Sequence, residues 1–377
     1  MPLITYLTAI QFDFGAVKLL GQEVAAVGIK HPLVVTDRGL IQLGLAQRVL
    51  ENLPKDMPVT IYDGTPENPT EEAILEATAR YREAGCDGLI AIGGGSSMDL
   101  AKGVAIMATH EPPLAQYAAI EGGVAKITAR IAPTVAVPTT AGTGSEVGRG
   151  AVLSLSDGRK LGFVSPHNIP RRVICDPELT LGLPARLTAA TGMDAVAHCI
   201  ETFLAPAKNP PAEAIALDGL RRAARNLERA VADGSDREAR WEMMMAALEG
   251  GMTFQKGLGA VHAMSHPLGA IRKPVLHHGT LNAVVLPAVL RFNANYVGDK
   301  YDALRQAMGV AAGIPMDEAL ADLNKRIGMP SGLRAMGVDP TIIANVSAAA
   351  EKDHCTATNP RPATKADYER LFAEAMG

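Results

Sequence analysis

The sequence predicts an α/β domain followed by an all-α domain. Over the first part of the chain, short apolar strand-like runs alternate with helical stretches, which is typical of a layered α/β fold. Beyond residues 181–184, alanine, methionine, leucine and arginine dominate and strand patterns nearly vanish. A chain of 377 residues is also long enough for two cores. We therefore predict an α/β domain over residues 1–182 and a helical domain over residues 183–377.

The α/β prediction is based on three strands, one helix and one hairpin. Apolar runs at residues 32–36, 88–92 and 134–137 predict buried strands. Residues 70–84 are helical in composition and follow an Asn-Pro-Thr-Glu-Glu start signal with acids in the first turn. Residues 151–163 predict a hairpin around an Asp-Gly turn. In the second half, apolar periodicity predicts helices over residues 194–203, 212–231 and 237–248.

Composition narrows the class of protein. The formal net charge of −4 gives no reason to expect nucleic acid or an anionic membrane as a partner. The sequence lacks an apolar run of the ~20 residues that a membrane-spanning helix needs, and its start lacks a signal-peptide pattern. The cysteines are scattered without a CxxC motif, so buried reduced thiols are expected. These features predict a cytoplasmic enzyme.

Two loops that follow predicted strands are suited to a phosphate-containing ligand. Residues 93–102, GGGSSMDLAK, follow a strand and open a helix, where glycines expose backbone N–H groups and the helix dipole favours an anion. A simple glycine-rich strand–helix turn is the alternative. Residues 137–146 form a second loop, dense in hydroxyl groups, which taken alone is a polar turn. Asp37, at the end of the first strand, could bind a ribose diol and repel a 2′-phosphate, although such residues are more often turn formers.

Histidines are concentrated in one part of the second half. His262, His266, His277 and His278 lie within seventeen residues, and an Asp194–His198 pair precedes them at helical i, i+4 spacing. A carboxylate with several imidazoles is a ligand set suited to Fe or Zn. A mutually satisfied buried Asp–His pair is the alternative for either pair alone. The clustering of all these polar groups on apolar segments favours a metal.

Seven motifs in order resemble the iron-containing (group III) alcohol dehydrogenases, whose fold is dehydroquinate synthase-like. The motifs are GGGSSMDLAK, PTTAGTGSE, DPELTLGLP, TAATGMDAVAHCIE, HAMSHPLGA, HHGTLNAVVLP and DHCTATNPRP. They lie between residues 93 and 362, and the resemblance as a whole extends over residues 14–362. The resemblance implies an N-terminal dinucleotide-binding domain and a C-terminal helical domain with a catalytic metal. Segments 254–269 and 276–284 are similar to the 4-hydroxybutyrate dehydrogenase branch.

The resemblance also implies roles for individual residues. The metal ligands would be Asp194, His198, His262 and the histidine before Gly279; matching from the downstream side favours His278 over His277. His266 would be an additional active-site histidine that is not a ligand. The implied cofactor contacts are Asp37, Gly94, Gly95, Ser96, Asp99, Thr139, Thr140, Thr143, Ser145 and Lys160.

The expected reaction is reversible hydride transfer between NAD(H) and a small primary alcohol or aldehyde. Fe(II) is the expected metal with Zn(II) as the alternative, and the acidic Asp37 favours NAD over NADP. Cations that could hold a substrate carboxylate are Arg149, Lys256, Arg272 and Lys273, unless they are solvated surface charges.

The sequence leaves three other functions open. They are a dehydroquinate synthase-like metal- and NAD-dependent lyase, a maleylacetate reductase-type reduction, and a non-catalytic nucleotide-binding protein. A lyase would show no net consumption of cofactor, and a binding protein would show no metal-dependent turnover. The resemblance further implies a homodimer or higher homo-oligomer, often formed through the N-terminal strand, here residues 6–12.

Overall fold

The computed structural model describes residues 8–271 and 273–377. By their internal contacts the described residues fall into two compact units. Residues 8–140 and 145–180 form the first, and residues 141–144 with the chain from 181 onward form the second. We refer to them as the α/β unit and the helical unit.

The α/β unit is built on a six-stranded sheet in the order β1-β8-β5-β4-β2-β3, in which every neighbouring pair is parallel. This confirms the predicted fold class and the three predicted buried strands. Its elements are β1 (Ala9–Phe12), α1 (Leu20–Ala26), β2 (Pro32–Val35), α2 (Arg38–Gln42), α3 (Leu45–Leu50), β3 (Thr60–Tyr62), α4 (Glu71–Glu83), β4 (Gly88–Gly93), α5 (Gly95–Thr109), β5 (Thr134–Pro138), β6 (Gly150–Ser154), β7 (Lys160–Val164) and β8 (Arg172–Cys175).

The central strands are buried on both faces, as parallel strands covered by helices must be. Every residue of β2, β4 and β5 is buried, which explains their continuous apolar runs. The antiparallel hairpin of β6 and β7 turns through Gly158, whose φ of 86° suits the predicted Asp-Gly turn. Of the predicted N-terminal strand, residues 6 and 7 lie outside the described residues, and β1 covers the rest from Ala9.

The helical unit contains α6 (Ala185–Leu204), α7 (Pro210–Ala232), α8 (Arg237–Met252), α9 (Ala260–Gly269), α10 (His278–Asn293), α11 (Lys300–Met308), α12 (Met316–Arg326), α13 (Ile343–Lys352) and α14 (Lys365–Ala375). The three helices predicted here are confirmed as α6, α7 and α8, although α6 begins at Ala185 rather than at residue 194. Helix α6 packs against α7, α8 and α10 and is buried almost throughout its length. A helix surrounded in this way is apolar on nearly all sides, so its few polar side chains need partners.

Candidate metal centre and nucleotide-binding loops

One face of α6 carries three buried polar side chains. Asp194, His198 and Glu201 follow one another at i, i+4 and i+7, so they line the same face of the helix. Each is at most 5% exposed. Burial of this kind is costly for a charged or polar group unless other groups satisfy it. The face of α6 therefore has to be matched by polar groups from neighbouring elements.

Imidazoles from α6, α9 and α10 converge on the Asp194 carboxylate. From Asp194 Oδ1, the Nε2 atoms lie at 3.4 Å for His198, 3.8 Å for His262 and 3.6 Å for His278. Ligand atoms that share one ion with bonds of ~2.1 Å lie ~3.4 Å apart, so the spacings from Asp194 Oδ1 are close to those around an ion. Ligand atoms of Asp194, His262 and His278 also all lie within 4.8 Å of one another. The donor set, one carboxylate and three imidazoles, fits Fe(II) or Zn(II). Asp194, His262 and His278 thus form one potential metal-binding group, and His198 adjoins it through Asp194.

Groups behind the imidazoles fix which ring nitrogen faces this point. His198 Nδ1 lies 3.3 Å from the carbonyl oxygen of Gly142, and His262 Nδ1 lies 2.5 Å from Glu201 Oε2. With Nδ1 donating to an oxygen, a neutral imidazole keeps its lone pair on Nε2. Burial lowers the pKa of His198 to about 4, so this ring is neutral at ordinary pH. Both rings are therefore prepared to ligate through Nε2.

Glu201 was part of a quoted motif, but sequence reasoning gave it no role. Its Oε2 accepts from His262, and its Oε1 accepts from the backbone N–H of Val261 at 2.7 Å. That N–H belongs to the first turn of α9, where helix donors have no partner within the helix. Burial opposes the charge on His262, but the Glu201 and Asp194 carboxylates raise the pKa of that imidazole. The i+7 spacing from Asp194 was the signal that could have identified Glu201.

Asn282 is a second residue that sequence reasoning missed. Its Nδ2 donates to Asp194 Oδ1 at 2.7 Å and lies 3.2 and 3.1 Å from Nε2 of His262 and His278. Its Oδ1 is buried and has no hydrogen-bond partner among the described residues. The residue lies one helical turn after His278 on α10, so the i, i+4 spacing could have indicated it. The Asn282 amide thus bridges ligand atoms of Asp194, His262 and His278.

The two adjacent histidines occupy different positions. His277 is the N-cap of α10, and its Nδ1 accepts the backbone N–H of Thr280 at 3.4 Å. His278 is the first helical residue and directs Nε2 toward Asp194. Its side chain is 30% exposed, whereas those of Asp194, His198 and His262 are at most 7% exposed. The cluster is therefore buried except beside His278, where a small molecule has access to it.

His266 lies beside the four nominated ligands. Its ring centroid is 5.9 Å from that of His262 and 5.8 Å from that of His278. Its Nδ1 lies 2.9 Å from Asp353 Oδ2. Burial raises the pKa of Asp353, but the neighbouring His266 and His354 rings hold it well below its usual value overall. The imidazole is thus oriented by a carboxylate.

In the α/β unit, three loops with nominated residues meet at one edge of the sheet. Strands β2, β4 and β5 are neighbours, and Asp37, Gly94 and Thr139 follow their carboxyl ends. Ligands of open α/β sheets bind at this edge. A Cβ added to Gly94 would lie 3.1 Å from Thr140 Oγ1, so a glycine keeps the entrance of α5 open. Among the described residues no side chain caps α5, which leaves its N-terminus to an anion.

Several nominated cofactor contacts have partners within the protein. Asp37 caps α2 by accepting the N–H of Leu40 at 3.0 Å, and Lys160 Nζ donates to Asn68 at 2.8 Å. The Ser96 hydroxyl donates to the carbonyl of Glu67. Thr143 belongs to the helical unit, whereas the other nominated contacts lie in the α/β unit.

A buried lysine organises the loop after β5. Lys102 Nζ donates to the carbonyl oxygens of Ser145, Gly148 and Gly150, at 2.7 to 2.9 Å. Asp99 accepts from Ser145 Oγ at 2.6 Å and from a backbone N–H of β6 at 2.8 Å. Burial lowers the pKa of Lys102 to about 8. Asp99 and Ser145 thus hold the loop in place, a role that sequence reasoning did not give them.

The cations nominated as substrate anchors differ in their surroundings. Lys256 is 2% exposed and donates to Glu213 Oε1 at 2.7 Å, so its charge is already neutralised. Arg149 is half-buried and Lys273 is exposed, whereas Arg272 lies outside the described residues.

None of the helices among the described residues combines the length and the apolar character that crossing a membrane requires. The four cysteines are buried and free.

Comparison with known proteins gives matches over nearly the whole chain. Residues 8–177 match the family model described as iron-containing alcohol dehydrogenase, and residues 188–376 match its C-terminal counterpart. A 4-hydroxybutyrate dehydrogenase from Cupriavidus necator is 57% identical, with 100% of both chains covered. A 1,3-propanediol dehydrogenase from Klebsiella pneumoniae is 38% identical, covering 97% of this chain and 96% of the relative.

Solved structures match equally broadly. A 1,3-propanediol oxidoreductase is similar with a TM-score of 0.93 at 37% identity, over 100% of both chains. A sulfoacetaldehyde reductase from Bifidobacterium kashiwanohense, solved in complex with NAD+, is similar with a TM-score of 0.88 at 28% identity. That match covers 100% of this chain and 98% of the other.

Proposed function

Because this chain belongs to the iron-containing alcohol dehydrogenase family, we propose that it interconverts 4-hydroxybutyrate and its aldehyde with NAD(H). The observation that carries this proposal is the convergence of three imidazoles on Asp194. A protein that merely bound a nucleotide would not need such a ligand set. Other small primary alcohols are the wider substrate class, since relatives at 38% identity are 1,3-propanediol dehydrogenases.

We assign the metal to Asp194, His198, His262 and His278, with Fe(II) as the expected ion and Zn(II) as the alternative. A divalent ion at this position supplies Lewis acidity, which acidifies an alcohol or polarises a carbonyl. Glu201 holds the His262 ring, and the Gly142 carbonyl holds the His198 ring, in the tautomer that ligates through Nε2. The exposed edge beside His278 is where we place the substrate oxygen.

We assign the dinucleotide to the edge of the sheet where β2, β4 and β5 end. The N-terminus of α5 faces the phosphates, and Thr139 and Thr140 add hydroxyl donors. Asp37 Oδ2 accepts from a ribose hydroxyl and disfavours a 2′-phosphate, which is why NAD is expected rather than NADP. Bound NAD supplies the hydride acceptor. Gly95, Ser96, Thr143 and Lys160 are further nominated contacts. Asp99 and Ser145, nominated with them, would act by holding the loop after β5 in place.

His266 is the residue that we assign to proton handling. Its Nδ1 is bonded to Asp353, so Nε2 is the atom that would exchange a proton with a substrate or ribose hydroxyl group. Replacement of His266 by Ala should lower turnover and change its dependence on pH. Unchanged turnover across pH would remove this residue from the mechanism.

We also propose where the protein acts and how it assembles. Four free and buried thiols fit the reducing cytoplasm. Strand β1 is an edge strand of the sheet and offers backbone groups to a second copy, which supports a homodimer. We take residues 1–182 as the dinucleotide-binding domain and residues 183–377 as the metal-binding domain. The sedimentation of the purified protein would test the dimer: a monomer at micromolar concentration would contradict it.

The proposal is tested by anaerobic NADH formation with metal-free protein, before and after addition of Fe(II) or Zn(II). The substrates are 4-hydroxybutyrate, 1-butanol and 1,3-propanediol, each with NAD and with NADP. Metal-dependent NADH formation that is fastest with 4-hydroxybutyrate is expected. Turnover of a substrate without net cofactor consumption would indicate the lyase reaction, and absence of turnover with either metal would indicate a binding protein.

A further inference from the structure

A second group of potential metal ligands lies next to the assigned metal centre. It consists of His266, Asp353, His354 and Cys355, which we call the thiol cluster. One nitrogen, oxygen or sulfur atom of each residue lies within 4.8 Å of those of the others. His266 Nδ1 is 2.9 Å from Asp353 Oδ2, and Cys355 Sγ is 3.5 Å from His354 Nε2. Neither the mechanism proposed above nor the motif comparison gives these four residues a shared ligand.

Two elements bring the thiol cluster together. His266 comes from the buried side of α9, which packs against α13 and the short 3-10 helix His354–Thr358. Asp353 is the N-cap of that short helix, and its Oδ1 accepts the backbone N–H of Cys355 at 2.8 Å. This cap turns the carboxylate back over its own loop, toward the sulfur and the two imidazoles. The arrangement is therefore fixed by the backbone and not by chance proximity of long side chains.

Burial distinguishes this group from ordinary surface acids and histidines. Cys355 is 2% and His266 3% exposed, and the side chain of Asp353 is 8% exposed. The His354 side chain is 33% exposed, so one edge of the cluster is open to an ion from solvent. The His354 and His266 rings are stacked, with centroids 5.7 Å apart. A thiol, two imidazoles and a carboxylate around one small space form a complete tetrahedral set.

We propose that the thiol cluster is a second metal site, selective for a thiophilic divalent ion such as Zn(II) or Co(II). Binding through Cys355 Sγ exchanges the thiol proton, which leaves to solvent, for the metal–sulfur bond. His266 ligates through Nδ1, and its proton moves to Nε2, so the ring remains neutral. The donor set differs from that of the assigned centre, which has three imidazoles and a carboxylate but no sulfur among its four ligands. The two sites should therefore prefer different ions.

Occupation of the thiol cluster also predicts inhibition by excess zinc. The ion would withdraw His266 Nδ1 from Asp353 and reorient the ring that we assign to proton handling. This consequence depends on the proposed function, whereas the existence of the site does not. The test of the site is accordingly made without substrate or NAD, so failure of one proposal is distinguishable from failure of the other.

The test is a Co(II) titration of metal-free, full-length protein, followed by absorption spectroscopy. Thiolate ligation of Co(II) gives an intense near-ultraviolet charge-transfer band that imidazole and carboxylate ligands do not give. Wild-type protein should bind two equivalents, with the thiolate band tracking one of them. Cys355→Ser should lose this band and one equivalent, whereas the matched control Cys86→Ser, at a buried thiol of the α/β unit, should behave as wild type.

Two further variants keep the test decisive if Cys355→Ser folds poorly. His354→Gln, at a one-third exposed position, should weaken the thiolate-band site by about tenfold or more. His198→Ala should weaken the assigned centre but keep the band. Binding of a single equivalent without a thiolate band in wild-type protein would overturn the proposal. The proposal would also be overturned if Cys355→Ser kept the thiolate band, or if His354→Gln bound Co(II) at the thiolate-band site as tightly as wild type.

Discussion

Replacement of Glu201 by Gln tests whether the groups behind the ligands control the metal centre. The carboxylate accepts two hydrogen bonds, from His262 Nδ1 at 2.5 Å and from the N–H of Val261 at 2.7 Å. Glutamine has nearly the same volume but a single acceptor oxygen, so its NH2 group must face one of the two donors. If it faces the imidazole, His262 protonates Nε2 instead and loses the lone pair that would bind the ion.

The expected loss of metal affinity or of folding stability in Glu201→Gln can be worked out from these contacts. Loss of the carboxylate behind a metal-binding histidine costs about 10- to 100-fold in metal affinity, or about 1.4–2.8 kcal/mol. If the amide faces Val261, an unsatisfied buried N–H costs about 1–3 kcal/mol of folding stability. We therefore expect Glu201→Gln to weaken metal binding, to destabilise the metal-free protein, or both.

The assay is a competition of Fe(II) or Zn(II) between the protein and a chromophoric chelator, with thermal melting of the metal-free protein beside it. Glu249→Gln is the matched control, because Glu249 is a partly buried glutamate of α8 that lies outside the metal centre. Burial raises the pKa of Glu249 to about 8, so glutamine resembles its neutral form at pH 7. The reasoning would be refuted if Glu201→Gln had the same metal affinity and the same melting temperature as the control.

Three further predictions concern charge. Burial raises the pKa of Glu146 from its usual value to about 7, against the opposing effect of Lys102. The Glu146 carboxyl therefore binds its proton more tightly in the folded protein than in the unfolded chain. The resulting stability is fully present below pH ~4.5, and about 3 kcal/mol of it should be lost as the pH rises through 7. Urea unfolding at pH 5 and 8 should show this loss in wild type but not in Glu146→Gln. Asp37→Ser keeps a side-chain cap for α2 and removes the negative charge, so kcat/KM for NADP relative to NAD should rise about tenfold. Arg149→Ala should raise KM for 4-hydroxybutyrate about tenfold but leave KM for 1-butanol unchanged, because only the hydroxy acid offers a carboxylate to the guanidinium group.

The sequence alone predicted those parts of the fold and site whose structure depends on residues close together in the chain. The run before Gly93 and the glycines after it predicted a strand, a turn and a helix start, and β4 and α5 have that form. The i, i+4 spacing of Asp194 and His198 likewise placed both side chains on one helix face. Such predictions succeed because apolar periodicity and turn chemistry act over a few residues.

What the sequence did not predict depends on contacts between distant segments. Glu201 acquires its role from His262, 61 positions away, and Asn282 acquires its role from Asp194, 88 positions away. Lys256 likewise forms an ion pair with Glu213, 43 positions away, which its own sequence neighbourhood does not indicate. Short elements such as α2, α3 and β3 carry too few residues for a periodic signal and are set by their neighbours in the sheet.

The adjacent histidines also show the difference between what the sequence predicts and what only the structure reveals. Sequence spacing alone leaves His277 and His278 as alternatives. The start of α10 separates them, since an N-cap residue and the first helical residue point in different directions. This difference allows the central claim to be tested by two neighbouring variants with the same chemical change.

The most direct measurement is NADH formation from 4-hydroxybutyrate by Fe(II)-reconstituted wild type, His277→Ala and His278→Ala, with bound iron determined in the same samples. We predict that His278→Ala loses iron and at least about 100-fold in turnover, while His277→Ala keeps one iron and most of its activity. Retention of iron and turnover by His278→Ala would contradict the assignment of the metal centre, and with it the account of how this protein works.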